Sequence, residues 1–187
     1  MRFVIGIGGA TGHPYAARVL DWFAGPGRDR GHHVDLVFSK TGRLCWKQEL
    51  GTDPAVYDFK TWGPTDFTAP FASGSARYDG MAVVPCSAGS LGRIAHGLST
   101  DLIGRAADVM LKERRRLVLV LRESPYSLPL IKNLEAVTLA GAIVMPGSPV
   151  FYTNPESYGD LIDTVAGRVL DQLGIPDHGV CPRWQGM

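Results

Sequence analysis

"RFVIGIGGATGHPYAARVLDWF", residues 2–23, decides how the rest of the chain is read. Residues 2–7 are the short apolar run of a buried strand, and Tyr15, Val19, Leu20 and Phe23 recur at helical spacing. Gly6, Gly8, Gly9 and Gly12 therefore crowd the end of a strand and the turn into a helix. Free backbone N–H groups and the positive end of a helix dipole meet there, which makes such a turn a natural seat for phosphate. Gly9, Ala10 and Thr11 are small enough to let backbone N–H groups approach a ligand. The spacing is GxGxxxG rather than the dinucleotide GxGxxG. Ser39 replaces the acid that would hold a ribose hydroxyl after the second strand, so a nicotinamide dinucleotide is disfavoured. A tight turn without a ligand is the competing reading.

Outward from this turn the chain alternates. "HHVDLVFSK" predicts a second strand ending near Phe38, and "TGRLCWKQEL" a short helix. The stretch from Gly51 to Gly80, rich in proline, glycine and aromatics, reads as a long ordered loop with a little strand in it. "MAVVPC" predicts a third strand, "SAGSLGRIAHGLS" a loop running into a helix, and "DLIGRAADVMLKE" a helix capped by Asp101. "RRLVLVLRE" is a fourth strand, "SLPLIKNLEAVTLAG" a helix and "AIVMP" a fifth strand. The last helix falls in "NPESYGDLIDTVAGRVLDQLG", with Asn154 before a proline at its first turn. This alternation predicts an α/β fold with a parallel sheet and helices on both faces.

Composition sets the outer bounds. A chain of 187 residues, 45% of them hydrophobic, suits one domain over residues 1–187 that buries roughly 70% of its unfolded surface. Nineteen basic against eighteen acidic residues leave a net charge of +1, no global field for nucleic acid or membrane. Cys45, Cys86 and Cys181 are widely spaced, without a CxxC pair, so neither a disulfide framework nor a zinc site is expected. The first strand begins at once, without a leader pattern, and no apolar run is long enough to span a bilayer; the expected location is the cytoplasm.

Ligands of open parallel sheets sit beyond the carboxyl ends of the strands. The segments there are "GGATG", Ser39 with Lys40, "CSAGS", Arg122 with Glu123, and "PGSPVFY", and they are expected to converge on one crevice. Ser87 and Ser90 supply hydroxyls while Ala88 and Gly89 leave backbone open; an ordinary serine-rich helix cap is the alternative. Glu123 can accept a proton and Arg122 can bind phosphate with two parallel hydrogen bonds, unless the two merely form a surface ion pair. Cys86, at a strand end without a base, reads as a buried small residue. "KERRR" at 112–116 lacks interleaved aromatics and reads as a solvated rim or an oligomer contact rather than a nucleic-acid site. Lys112 and Arg105, two turns apart on one helix face, can both point toward the crevice. The five histidines show no metal spacing and read as surface or local structure, with His13 alone placed in the glycine turn to touch a ligand. The "VLDWF" segment looks like an exposed face available for oligomerisation.

In order along the chain, "GIGGATG", "FSK" followed by Glu49, "PCSAGSLGRIAHG", "GRAADVMLKERRRLVLVLRESP", "GAIVMPGSPVFY", "GRVLDQLG" and "RWQG" resemble the UbiX-like flavin prenyltransferases over essentially the whole length. The resemblance implies a Rossmann-like or flavodoxin-like three-layer sandwich that binds FMN and assembles as a homododecamer with sites at subunit interfaces. It implies FMN contacts from Gly9, Ala10, Thr11, Ser39, Ser87, Ala88, Gly89, Ser90 and Arg122. Tyr152, Arg168, Lys112 and Arg122 match the dimethylallyl phosphate contacts, Glu49 and Glu123 the catalytic carboxylates, and Arg105 and Trp184 lie beside the site.

The implied reaction joins a dimethylallyl group to N5 and then C6 of reduced FMN, and the prenylated FMN serves UbiD-type decarboxylases. No DDxxD motif is present, so the expected cation set for the departing phosphate is metal-free: Lys112, Arg122 and Arg168, with the Tyr152 hydroxyl. Trp184 and the flavin ring offer π faces to an allylic cation. Two positions depart from the family pattern. Gly8 stands where a serine is usual, and the "S-x-K-T" phosphate loop is Ser87, Ala88, Gly89 and Ser90, so the lysine is missing and a neighbouring cation such as Arg93 is expected to replace it. Alternatives are a non-catalytic FMN carrier or accessory subunit of a decarboxylase, and a related flavin-dependent cysteine decarboxylase, whose catalytic histidine and asparagine-rich loop are not evident.

Overall fold

The computed structural model describes residues 1–186. Six parallel strands form one sheet: β1 (Arg2–Ile7), β2 (His33–Phe38), β3 (Lys60–Trp62), β4 (Gly80–Cys86), β5 (Arg116–Leu121) and β6 (Ile143–Pro146). Their spatial order is β3-β2-β1-β4-β5-β6. The helices are α1 (His13–Trp22), α2 (Lys40–Leu50), α3 (Ala88–Ala95), α4 (Leu102–Lys112), α5 (Leu128–Leu139) and α6 (Tyr158–Gln172). The fold is thus the α/β flavodoxin-like sandwich expected from the alternation of elements.

Strands buried on both faces explain why the sequence shows continuous apolar runs instead of a polar alternation. Phe3, Ile5 and Ile7 of β1, with Val118 and Val120 of β5, pack under α1 and α6. Val4 of β1, with Leu117, Leu119 and Leu121 of β5, packs under α3, α4 and α5. The connections reverse direction between β1 and β4, which pair from Phe3 opposite Gly80 to Gly6 opposite Val83. A crevice opens at the carboxyl ends of strands at such a reversal.

The little strand expected inside the long loop is the short edge strand β3, where Asp35, Leu36 and Val37 of β2 pair with Lys60, Thr61 and Trp62. Two expectations change. Helix α6 starts at Tyr158, not beside Asn154: Ser157 and Asp160 form a reciprocal capping box, and Asn154 has a left-handed φ of 51°. The "VLDWF" face is not exposed, since Val19, Leu20, Trp22 and Phe23 are all buried. Helix α6 and the segment after it cover this face, and Trp22 Nε1 donates to the His178 carbonyl at 2.9 Å. Contacts at such sequence separation leave no mark in local periodicity. Exposed apolar residues include Leu128, Ile131 and Leu139 of α5 and Phe151, Tyr152, Tyr158 and Trp184.

Candidate functional site

The glycine turn is shaped by close approach. Gly8 N–H donates to the Pro85 carbonyl at 3.1 Å, and a Cβ on Gly8 would stand 2.5 Å from that same oxygen. Gly12 has a φ of 111°, the left-handed region that a side chain disfavours. The first turn thus lies flat against β4 and turns sharply into α1. Installing the usual family serine, Gly8→Ser, is expected to destabilise the fold by about 1–3 kcal/mol through overpacking against rigid backbone, read as a lowered thermal midpoint. An unchanged midpoint would show that the backbone yields at little cost.

Beside this turn, Gly9, Ser39, Lys40, Thr41, Ser87, Ser90, Arg93 and Asp101 line a cavity of about 460 Å³. Ser39 and Ser87 are the N-caps of α2 and α3: the Ser39 Oγ accepts from Gly42 N at 2.9 Å and the Ser87 Oγ from Ser90 N at 3.2 Å. The helices therefore present their amino termini to the cavity, with the hydroxyls of Ser87 and Ser90 linked at 3.1 Å. Arg93 reaches the Ser90 Oγ at 3.3 Å and the Asp101 carboxylate at 3.4 Å, so a guanidinium stands next to the loop that lacks a lysine. Asp101 caps α4 as expected, accepting from Gly104 N at 2.8 Å.

A second cavity, about 230 Å³, is lined by Thr11, Gly12, Tyr15, Glu49, Arg122, Gly147 and Tyr158. Glu49 comes from the last turn of α2, yet its Oε2 accepts the Gly12 and His13 N–H groups at 3.0 Å each. It caps α1 from outside, because Gly12 has no side chain to do so. Burial alone would raise the Glu49 carboxyl, but hydrogen bonds from Thr11, Gly12 and His13 hold it below the usual carboxylate value. It is therefore an ionised acceptor at neutral pH. Arg122 is exposed and continues β5, its N–H donating to the Cys86 carbonyl at 3.1 Å. Glu123 is half-buried and accepts from Ser124 N at 3.1 Å; among the described residues neither it nor Arg122 takes part in an ion pair.

The third group lies under the chain end. Tyr152, Arg168, Asp171, Cys181, Arg183 and Trp184 line a cavity of about 210 Å³. The Tyr152 and Trp184 rings meet edge to face at 5.5 Å. Asp171 accepts from Arg168 and Arg183 at 2.8 Å each and lies 3.3 Å from His178 Nε2. Burial would raise Asp171, but the hydrogen bond and charge of Arg183, then Arg168, hold it low; burial lowers His178 despite Asp171.

The sign of both shifts is the same: the released segment binds protons more readily than the docked one. Docking of residues 176–186 is expected to be strongest above about pH 6.5, to weaken as pH falls through the lowered His178 value, and to weaken again below about pH 4 through that of Asp171. Hydrogen-exchange protection of the tail, corrected for intrinsic rate, checks this; constant protection from pH 7 to 3.5 contradicts it.

Lys112 and Arg105 do not join the crevice of their own protomer. Helices run back between parallel strands, so the end of α4 lies at the amino end of the sheet, where β5 begins opposite Gly80. Lys112 pairs there with Glu113, while Arg105 donates to the Ala72 carbonyl and Asp108 at 2.9 Å each. Of the arginines of "KERRR", Arg115 is used internally, donating to the carbonyls of Ala76 and Gly74 at 2.7 Å, while Arg114 and Arg116 are exposed. Cys86 is fully buried, and burial pushes its thiol up to about 12, so it is inert. His13 and His178 are buried rather than on the surface.

Sequence reasoning passed over Asp171, whose i,i+3 spacing from Arg168 on α6 was available as a signal, and Tyr15, which read as part of an apolar face. Arg183 had no local signal. Among the described residues no group of three or more His, Cys, Asp or Glu gathers as a metal site, and no helix is long and apolar enough to cross a membrane.

A flavoprotein family model matches residues 2–170. The flavin prenyltransferase UbiX of Deinococcus radiodurans is 44% identical over 98% of this chain and 93% of its own. The crystal structure of AnUbiX (PadA1) in complex with FMN and dimethylallyl pyrophosphate superposes with a TM-score of 0.92 at 43% identity, covering 100% of this chain and 98% of that one. The dodecameric FMN-dependent UbiX-like decarboxylase of Escherichia coli O157:H7 matches with a TM-score of 0.92 at 39% identity, covering 100% of each chain. The peptidyl-cysteine decarboxylase EpiD shares the fold alone, at 14% identity and a TM-score of 0.58 over 92% of this chain and 97% of its own, so the cysteine decarboxylase alternative is not favoured. With this identity sustained across nearly the full length of both chains, the protein belongs to the UbiX-like flavin prenyltransferase family.

Proposed function

We propose that this chain, taken as one flavoprotein domain, joins the dimethylallyl group of dimethylallyl phosphate to reduced FMN and releases prenylated FMN for a UbiD-type decarboxylase. The observation that carries the reading is the adjacency of two cavities at the carboxyl ends of β1, β2, β4 and β5. One is a cup of open backbone, serine hydroxyls and Arg93; the other is a polar recess holding Glu49 and Arg122. The first fits the flavin's phosphate: small residues, two helix starts and a guanidinium supply donors with no side chain in the way. When bound and reduced, FMN supplies the nucleophilic ring positions, N5 and C6, that accept the dimethylallyl group.

The chain's own residues do the rest. Arg122 binds the donor phosphate and offsets its charge as it leaves; Arg168 and the Tyr152 hydroxyl, which line a separate cavity of the same protomer, join it from a neighbouring subunit. Trp184, edge-on to Tyr152, excludes water and offers an aromatic surface to the allylic group. Glu123 accepts the proton released at ring closure, and Glu49, ionised and held by α1, orients the ligand. Lys112 and Arg105 take part only from a neighbouring subunit. The exposed apolar residues on α5 and around Phe151 support a homododecamer in which sites are shared. The unpaired cysteines support a reducing location such as the cytoplasm.

Incubation with reduced FMN and dimethylallyl phosphate, followed by mass spectrometry of the flavin, tests the reading: an added C5 unit identifies a transferase, and unchanged FMN identifies a carrier. Arg93→Ala is expected to weaken FMN binding about 10- to 100-fold by removing one charge-assisted contact, measured by flavin titration. Unaltered affinity would assign the phosphate to the serines and helix ends alone.

A further inference from the structure

Three buried side-chain polar atoms among the described residues have no hydrogen-bond partner: both ring nitrogens of His13, and the Thr153 Oγ1. His13 is fully buried and packs edge-on against buried Trp46, centroids 6.1 Å apart. Its Nδ1 lies 3.4 Å from Glu49 Oε2, the oxygen that already accepts the Gly12 and His13 N–H groups. A buried imidazole with an unmet donor is unfavourable, and a fully buried imidazolium is more so. The neutral ring carries one N–H, and the carboxylate is the acceptor within reach of Nδ1.

We propose that His13 is a positioning residue for Glu49. Its Nδ1–H closes on Oε2 once a ligand fills the recess, completing three donors from the start of α1 on that oxygen. Oε1, which takes neither of these backbone N–H groups, is then the oxygen that holds the ligand or its proton, with the Thr11 hydroxyl beside the carboxyl. The other titratable or charged groups around the recess are Tyr15 of α1, Arg122 after β5 and Tyr158 of α6, and none of them hydrogen-bonds to Oε2. The inference rests on the reading of Glu49 as a site carboxylate.

Two measurements test it. Solid-state 15N spectra of ring-labelled protein, with the His13→Phe spectrum assigning the signal, should show His13 as the Nδ1–H tautomer. His13→Phe, which keeps ring shape without a donor, should fold and bind FMN yet lower kcat about tenfold or more with little change in KM, because a loosened carboxylate loses its aim. His13→Asn, whose amide nitrogen overlays Nδ1, should restore kcat to within about threefold of the native value. An Nε2–H tautomer, an undiminished kcat in His13→Phe, or a His13→Asn enzyme as slow as His13→Phe each overturns the proposal. A wild-type chain that adds no C5 unit to FMN overturns the functional reading instead, whatever the tautomer.

Discussion

Glu123→Gln is expected to leave FMN bound and to slow formation of prenylated flavin by about 10²–10⁴-fold, the range for loss of a general base. The substituted amide keeps the size of the native side chain and an oxygen that can accept from Ser124 N, so the bend after β5 that carries Arg122 survives. It cannot take the proton released at ring closure. Because Glu123 is separate from the serine cup around Arg93, flavin affinity should stay within about twofold while single-turnover rates fall. Stopped-flow absorbance with reduced FMN and dimethylallyl phosphate separates the two quantities. A variant that turns over at the native rate removes Glu123 from the chemistry and leaves the departing phosphate as the base.

The second large effect concerns assembly. On the proposed reading, in which both cations face the departing phosphate, Lys112→Ala and Arg168→Ala should each lower turnover by about 10² or more. Lys112 stands at the amino end of the sheet, whereas Arg168 lies in the cavity under the chain end with Tyr152 and Trp184. If one site draws Lys112 and Arg168 from different subunits, co-assembling the two dead variants in equal amounts rebuilds about a quarter of the sites by random mixing. Activity of the co-expressed mixture, well above that of either variant, is the expected result. A mixture as inactive as its components means that both side chains serve one protomer's site.

The fold was legible because a strand buried on both faces and a helix buried on one leave different periods in the sequence. β1, β2, β4, β5 and β6 all appeared as apolar runs. Strand β3 was legible only as a little strand without bounds inside the long loop, since three residues with only Trp62 half-buried carry too little pattern. The "VLDWF" face was misread because its cover, α6 and the segment ending at Val180, comes from about 150 residues away. Asn154 before a proline imitated a helix start, but the reciprocal bonds of Ser157 and Asp160 place the start later.

The candidate site divides in the same way. Gly9, Ser39, Ser87, Ser90 and Arg122 were visible because each directly follows an apolar run, and a parallel sheet brings the ends of its strands together. The sequence by itself determined the sheet, the crevice and the kinds of groups facing it, since these follow from local period and strand order. Only the tertiary structure decided that Glu49 caps α1, that His13 is buried against it, that Asp171 gathers Arg168, Arg183 and His178, and that Lys112 lies at the far end of its own protomer. Those relations are set by packing between segments distant in the chain, which no local spacing encodes.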